Sequence, residues 1–221
     1  MSKHMARDLD NLQRAILVMA GTVEEALHVA VRALQDRDPA AARACIAGDA
    51  AVDRLENEVQ EECLKILALH QPVAGDLRRV SAVLLISTDL ERIGDLAVGI
   101  AERALQLARP PHVPVPDRLA DMAARAIRMV RQSLDAFVAQ DAAAARAVIR
   151  QDDEVDRDNA DIIRVLIAGM KEPAGPVEAG LSLFSAVRHV ERIADHATNI
   201  AEDVIYLVEG DVVRHRAGSG A

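Results

Sequence analysis

The chain repeats itself. DPAAARACIAGDAAVDR at 38–54 returns as DAAAARAVIRQDDEVDR at 141–157, an offset of 103. ERIGDLAVGIAE at 91–102 returns as ERIADHATNIAE at 191–202, an offset of 100. Two blocks in the same order, with a three-residue deletion between them, define two homologous halves. Whatever one half folds into, the other must fold into as well. The break falls at Arg109–Pro116, where four prolines in eight residues stop a helix and favour extended backbone. The sequence therefore reads as one unit over 1–108, a linker at 109–116, a second unit over 117–209 and a flexible tail at 210–221.

Each half has helical periodicity. Leu9, Leu12, Ile16, Met19, Val23, Ala26 and Ala30 recur at intervals of three and four, one apolar seam of a coiled-coil-like helix. Leu90, Ile93, Ala97, Ile100, Ala104 and Leu107 form a second seam, repeated in the other half by Val190, Ile193, Ala197, Ile200, Val204 and Leu207. Breakers at Asp38-Pro39, Gln71-Pro72 and Lys171-Glu172-Pro173, with the linker, cut the chain into six long helices. The predicted spans are 8–36, 40–69, 73–108, 117–139, 142–171 and 175–209. Short connections make neighbours antiparallel. The predicted fold is all-α, a tandem duplication of two three-helix bundles.

Composition agrees and closes other routes. Phe137, Phe184 and Tyr206 are the only aromatic residues among 221, too few for a β-sandwich core or for base-stacking on single-stranded nucleic acid. The net charge of −9 repels phosphate backbones and argues against nucleic-acid binding. No 18-residue apolar run is present to span a membrane, and MSKHMARDLDNL lacks the apolar core of a signal peptide, so the expected location is the cytoplasm. Cys45 and Cys63 match no zinc pattern; their repeat partners are Val148 and Leu166, so both read as buried apolar residues. No nucleophile elbow and no glycine-rich phosphate loop occur, which points away from an enzyme.

The chemistry lies in the carboxylates. Asp49 and Asp53 are i, i+4 neighbours on the second helix, as are Glu91 and Asp95 on the third, just off its apolar seam. Asp53 lies 19 residues before Pro72 and Glu91 lies 19 after it; Asp49 and Asp95 are 23 away on either side. With equal rise per residue in antiparallel helices, the facing acids stand level, roughly 28–35 Å from the turn. Asp152, Asp156, Glu191 and Asp195 repeat the arrangement in the second half. Like charges so placed must protonate, pair with cations or bind metal. Oxygen donors suit hard cations, iron or manganese. The plainer reading is ion pairing with Arg54, Arg92, Arg157 and Arg192, each next to one of these acids. His196 and Asn199 occur only in the second copy, where Leu96 and Gly99 are their counterparts, and His196 offers a nitrogen donor beside the second acid face. The remaining histidines show no ligand spacing.

At QPVAGDLR (71–78), ERIGDLAVGIAE and ERIADHATNIAE the chain resembles the PhoU family of regulators of bacterial phosphate uptake, and the resemblance runs from about Asp8 to Leu207. It implies a pair of three-helix bundles, a cytoplasmic and often dimeric protein, and repression of the phosphate-starvation response when phosphate is plentiful. It implies two partners, a phosphate ABC transporter and a membrane sensor histidine kinase. It further implies multinuclear iron or zinc clusters on the E/DxxxD motifs, here Asp49, Asp53, Glu91, Asp95, Asp152, Asp156, Glu191 and Asp195. The first hairpin turn, with Asp76, Arg78 and Arg79, is the expected partner contact, because the second half has KEPAGPVEAG in its place. Two alternatives stand beside the regulator. One is a carboxylate-bridged metalloprotein like the di-iron bundles, which use Glu-x-x-His spacing on inward-facing helices; no such ligand spacing is expected here, and the acids lie beside the seam rather than on it. The other is a metal-free helical scaffold with solvated acidic faces.

Overall fold

The computed structural model describes residues 3–110, 113–172 and 176–211, and every regular element in them is an α-helix. α1 (Lys3–Asp36), α2 (Pro39–His70) and α3 (Ala74–Leu107) form the first bundle. α4 (Asp117–Ala139), α5 (Ala142–Ile149), α6 (Asp152–Met170) and α7 (Val177–Glu209) form the second. The two bundles join where α3 packs along α7, with a smaller contact between α1 and α4. Pro111 and His112 of the expected linker and residues 212–221 of the expected tail lie outside the described residues.

The starts and stops follow from local chemistry, and the duplication is visible in them. Asp38 caps α2, its Oδ1 accepting from the backbone N–H of Ala40 at 2.8 Å and Ala41 at 3.1 Å, with Pro39 in the first helical position. Asp141 caps α5 in the same way, accepting from Ala143 and Ala144. Gln71 and Gln140 end the helices before the turns in the left-handed region, at φ 47° and 52°.

One prediction is corrected. The sequence predicts a single helix over 142–171, but the structure divides that rod into α5 and α6 at Arg150–Gln151. The Gln151 side-chain amide donates to the Ala147 carbonyl, the acceptor that an unbroken helix would offer to the Gln151 N–H. That N–H goes instead to the Val148 carbonyl, a tighter turn, at 2.9 Å. Asp152, Asp153 and Glu154 then open α6, where acids favour a helix N-terminus. The first copy has Gly48 at this position and α2 runs on unbroken.

The predicted seams form the core. Leu9, Leu12, Ile16, Met19, Val23 and Ala30 of α1 are buried, as are all six seam residues of α3 and all six of α7; Ala26 is half-buried, next to buried Leu27. Cys45 and Cys63 are buried free thiols whose Sγ atoms donate to the carbonyls of Ala26 and Val80. Among the described residues no helix is long and apolar enough to cross a membrane.

Candidate functional site

The α2–α3 hairpin places Asp49 near enough to Asp95, and Glu91 near enough to Asp53, for their charges to act on each other. The Asp49 carboxyl is raised above the usual range by burial, then by Asp53 and by Asp95 across the hairpin. Glu91 is raised by burial first, then by Asp95, with smaller pressure from Glu56 and Asp53 on α2 and relief from Arg92. Of the four arginines next to the acids, Arg92 alone pairs with the face among the described residues. Its Nε lies 3.3 Å from Glu91 Oε2 and its Nη1 lies 3.3 Å from Asp95 Oδ2, along one helix rather than between two.

In the second set Glu191 is buried and Asp152 half-buried, while Asp156 and Asp195 are exposed. Asp152 is pushed up to about 7, by burial first and then by Asp195, Asp156, Glu191 and Asp153. Glu191 and Asp195 are also raised, again chiefly by burial. Arg188 donates to Glu191 Oε1 at 2.8 Å. Arg157 turns instead to the Asp153 carbonyl.

The donor chemistry of both faces fits a hard cation, because all eight acids offer only oxygen. Asp152 Oδ1 and Glu191 Oε2 are buried without a hydrogen-bond partner, so these two oxygens are free to accept from a donor or to ligate a cation. Among the described residues no three Asp, Glu, His or Cys side chains stand close enough together to hold an ion, so binding requires these carboxylates to rotate toward one point.

His196 does not face the second acid set with its Nδ1, as the sequence suggested. It reaches across the bundle seam to α3, where Asp89 Oδ1 accepts from it at 2.8 Å and from Asn199 Nδ2 at 3.2 Å. His189, unremarkable in the sequence, fills the equivalent position on the other side of the seam. A methyl group on Gly99 would lie 2.9 Å from its Nε2. Its ring is half-buried and its pKa is lowered, by burial first and then by Arg103 and Arg192. The offset of 100 pairs Asp89 with His189, Leu96 with His196 and Gly99 with Asn199, so the Asp89–Asn199 and His189–Gly99 contacts are equivalents under the repeat. That repeat was the signal by which Asp89 and His189 could have been found. The same holds for Glu56 and its counterpart Asn159. The chain does contain one Glu-x-x-His spacing, Glu25–His28, but both residues are exposed on α1 and His28 lies 3.9 Å from Glu24, so it makes no inward di-iron ligand set.

At the first hairpin turn, Asp76 is half-buried in the opening turn of α3. Arg78 Nε donates to the Leu207 carbonyl at 3.3 Å, and Arg79 donates to Gln13. The outer part of this tip is apolar, with Leu69 and Val73 75% and 76% exposed.

Fold and site together define a class: a duplicated helical-bundle protein with one carboxylate face on each hairpin. Comparison with known proteins narrows it. The PhoU domain model matches residues 16–104 and again 119–204. The phosphate-specific transport system accessory protein PhoU homolog of Pseudomonas aeruginosa is 38% identical over 215 residues, covering 97% of this chain and 89% of that protein. The crystal structure of PhoU from Pseudomonas aeruginosa superposes with a TM-score of 0.90 at 38% identity, covering 93% of this chain and 99% of that one. The phosphate transport system regulatory protein PhoU from Streptococcus pneumoniae gives a TM-score of 0.89 at 28% identity, covering 95% and 99%. The chain belongs to the PhoU family.

Proposed function

We propose that this chain is a non-enzymatic regulator of inorganic phosphate uptake and homeostasis. It works in the cytoplasm as a homodimer, against the inner side of a phosphate ABC transporter and a sensor histidine kinase. It holds the phosphate-starvation response off while phosphate is plentiful. The observation that carries this reading is the double PhoU domain match over nearly the whole chain, with relatives named as accessory proteins of phosphate-specific transport. Those names describe accessory proteins rather than catalysts.

The two acidic faces serve as cation sites in this reading. Asp49, Asp53, Glu91 and Asp95 would hold iron or zinc on the first hairpin, and Asp152, Asp156, Glu191 and Asp195 on the second. A bound cation supplies the positive charge that lets facing carboxylates stay ionised together. The first hairpin tip is the partner contact, with Asp76, Arg78 and Arg79 at its base and Leu69 and Val73 exposed beyond them.

The test is deletion of the gene, with expression of phosphate-starvation genes measured in phosphate-rich medium. Derepression, restored to silence by the intact chain, supports the reading. Unchanged expression overturns it.

A further inference from the structure

Four buried side-chain oxygens of the second bundle have no hydrogen-bond partner: Asp152 Oδ1 and Asn159 Oδ1 on α6, and Glu191 Oε2 and Thr198 Oγ1 on α7. A buried polar atom left alone is costly, and four oxygens of this kind on one hairpin point to a common cause. Asn159 and Glu191 are only 8% and 9% exposed.

The duplication supplies an internal control. The counterparts in the first bundle are Asp49, Glu56, Glu91 and Val98, and none has an orphaned oxygen among the described residues. Glu56 Oε1 accepts from Gln60 at 2.8 Å and from Thr88 at 3.5 Å. Glu91 Oε2 is met by Arg92, which also holds Asp95. Position 98 is apolar. Glu56 and Glu91 of the first hairpin have partners on the protein and Asp49 is only half-buried, whereas the second hairpin buries oxygens that have no partner. Arg188 takes one oxygen of Glu191 and leaves the other.

Asn159 adds to the argument by its chemistry and its place. It follows Asp156 by three residues on α6, and Arg188 precedes Glu191 by three on α7, so Asn159 stands one turn from the Asp156–Glu191 level. An amide carbonyl is a neutral oxygen donor of the kind hard cations take alongside carboxylates. It brings a ligand without adding to the repulsion.

We propose that the two acidic faces are unequal: the second is the tighter cation site, Asn159 is an oxygen ligand in it beside Asp152, Asp156, Glu191 and Asp195, and it fills before the first. The proposal rests on reading the faces as cation sites. An ion at the first face must displace the Arg92 guanidinium from both of its carboxylates. An ion at the second meets Asp152 Oδ1, Asn159 Oδ1 and Glu191 Oε2, which lack any donor, with Arg188 held by the other oxygen of Glu191 alone.

The experiment is Mn²⁺ titration of the chelator-treated, full-length protein, followed by electron paramagnetic resonance of free Mn²⁺ and by the rise in Tm on binding. The tight class should survive Glu91→Gln/Asp95→Asn and disappear in Glu191→Gln/Asp195→Asn. Asn159→Leu should weaken it about tenfold or more, while Asn159→Asp retains it. If Asn159→Leu does not fold, Asn159→Ala removes the same oxygen with a smaller side chain. Equal affinity at both faces, or loss of the tight class with the first-face variant, overturns the inequality and leaves the cation reading standing. Unchanged binding in a folded Asn159→Leu or Asn159→Ala variant removes Asn159 from the site. No Mn²⁺ binding by the unmodified chain overturns both readings together.

Discussion

His196 Nδ1 and Asp89 Oδ1 lie 2.8 Å apart across the seam between the bundles, and they tie together the helices that carry the two acid sets. Asp89 precedes Glu91 by two residues and His196 follows Asp195 by one. The contact is 12–15% exposed at its side chains, so removing one partner leaves the other in a mostly buried place. Asp89→Ala leaves the His196 and Asn199 donors without this acceptor in a mostly buried place, at a cost of about 1–3 kcal/mol. A double-mutant cycle with His196→Ala, read by urea unfolding, should give a coupling of about 0.5 kcal/mol or more. Additive single effects would mean that the two residues do not stabilise the seam through each other.

The pseudo-symmetric position behaves in the opposite way. Gly99 leaves room for His189, and a Cβ there would come within 2.9 Å of the ring. Glycine inside a helix costs about 1 kcal/mol relative to alanine, so Gly48→Ala, whose Cβ meets nothing within 4 Å, should stabilise by about that amount. Gly99→Ala should give no such gain in the native background and recover it when combined with His189→Ala. Thermal melts of the single and double variants decide this, and an equal gain at both glycines would show that His189 does not need the space.

The Asp152 carboxyl, pushed up to about 7, makes a signed prediction about pH. Its native pKa lies above its ordinary value of 3.8, so folding favours the protonated form. That contribution is fully present below the ordinary value and is lost as pH rises through the native one. In metal-free protein, Asp152→Asn should match the unmodified chain near pH 4 and exceed it in Tm at pH 8, with the difference opening between. A difference that stays flat from pH 4 to 8 would rule out this titration.

Much of this was legible in the chain because helical periodicity is local. The α3 and α7 seams needed only the three-four spacing of Leu90 to Leu107 and Val190 to Leu207. The facing of Asp53 with Glu91 and of Asp152 with Asp195 needed only equal distances from a turn. The break before Asp152 was not legible, because it depends on one amide, that of Gln151, competing for the Ala147 carbonyl. The direction of His196 was not legible either. It is fixed by how α3 meets α7, and contacts between bundles have no spacing rule within either one. Asn159 was hidden for another reason: its polar type is unremarkable on a helix until burial leaves its oxygen alone.

Cys45 and Cys63 give a check on the packing of the first bundle. Burial pushes their thiols up to about 11 and about 12, and only the thiolate attacks. At pH 8 the more acidic of the two is then ionised to about one part in a thousand, before access is considered. Alkylation of the native chain with iodoacetamide should therefore be slow at both positions, and denaturation in urea should expose two reactive thiols at once. Mass spectrometry of each cysteine separates the sites. Rapid labelling of Cys63 in the native state would show that α2 opens from α3 without global unfolding, and the hairpin that aligns Asp49 with Asp95 would then be a mobile platform rather than a fixed one.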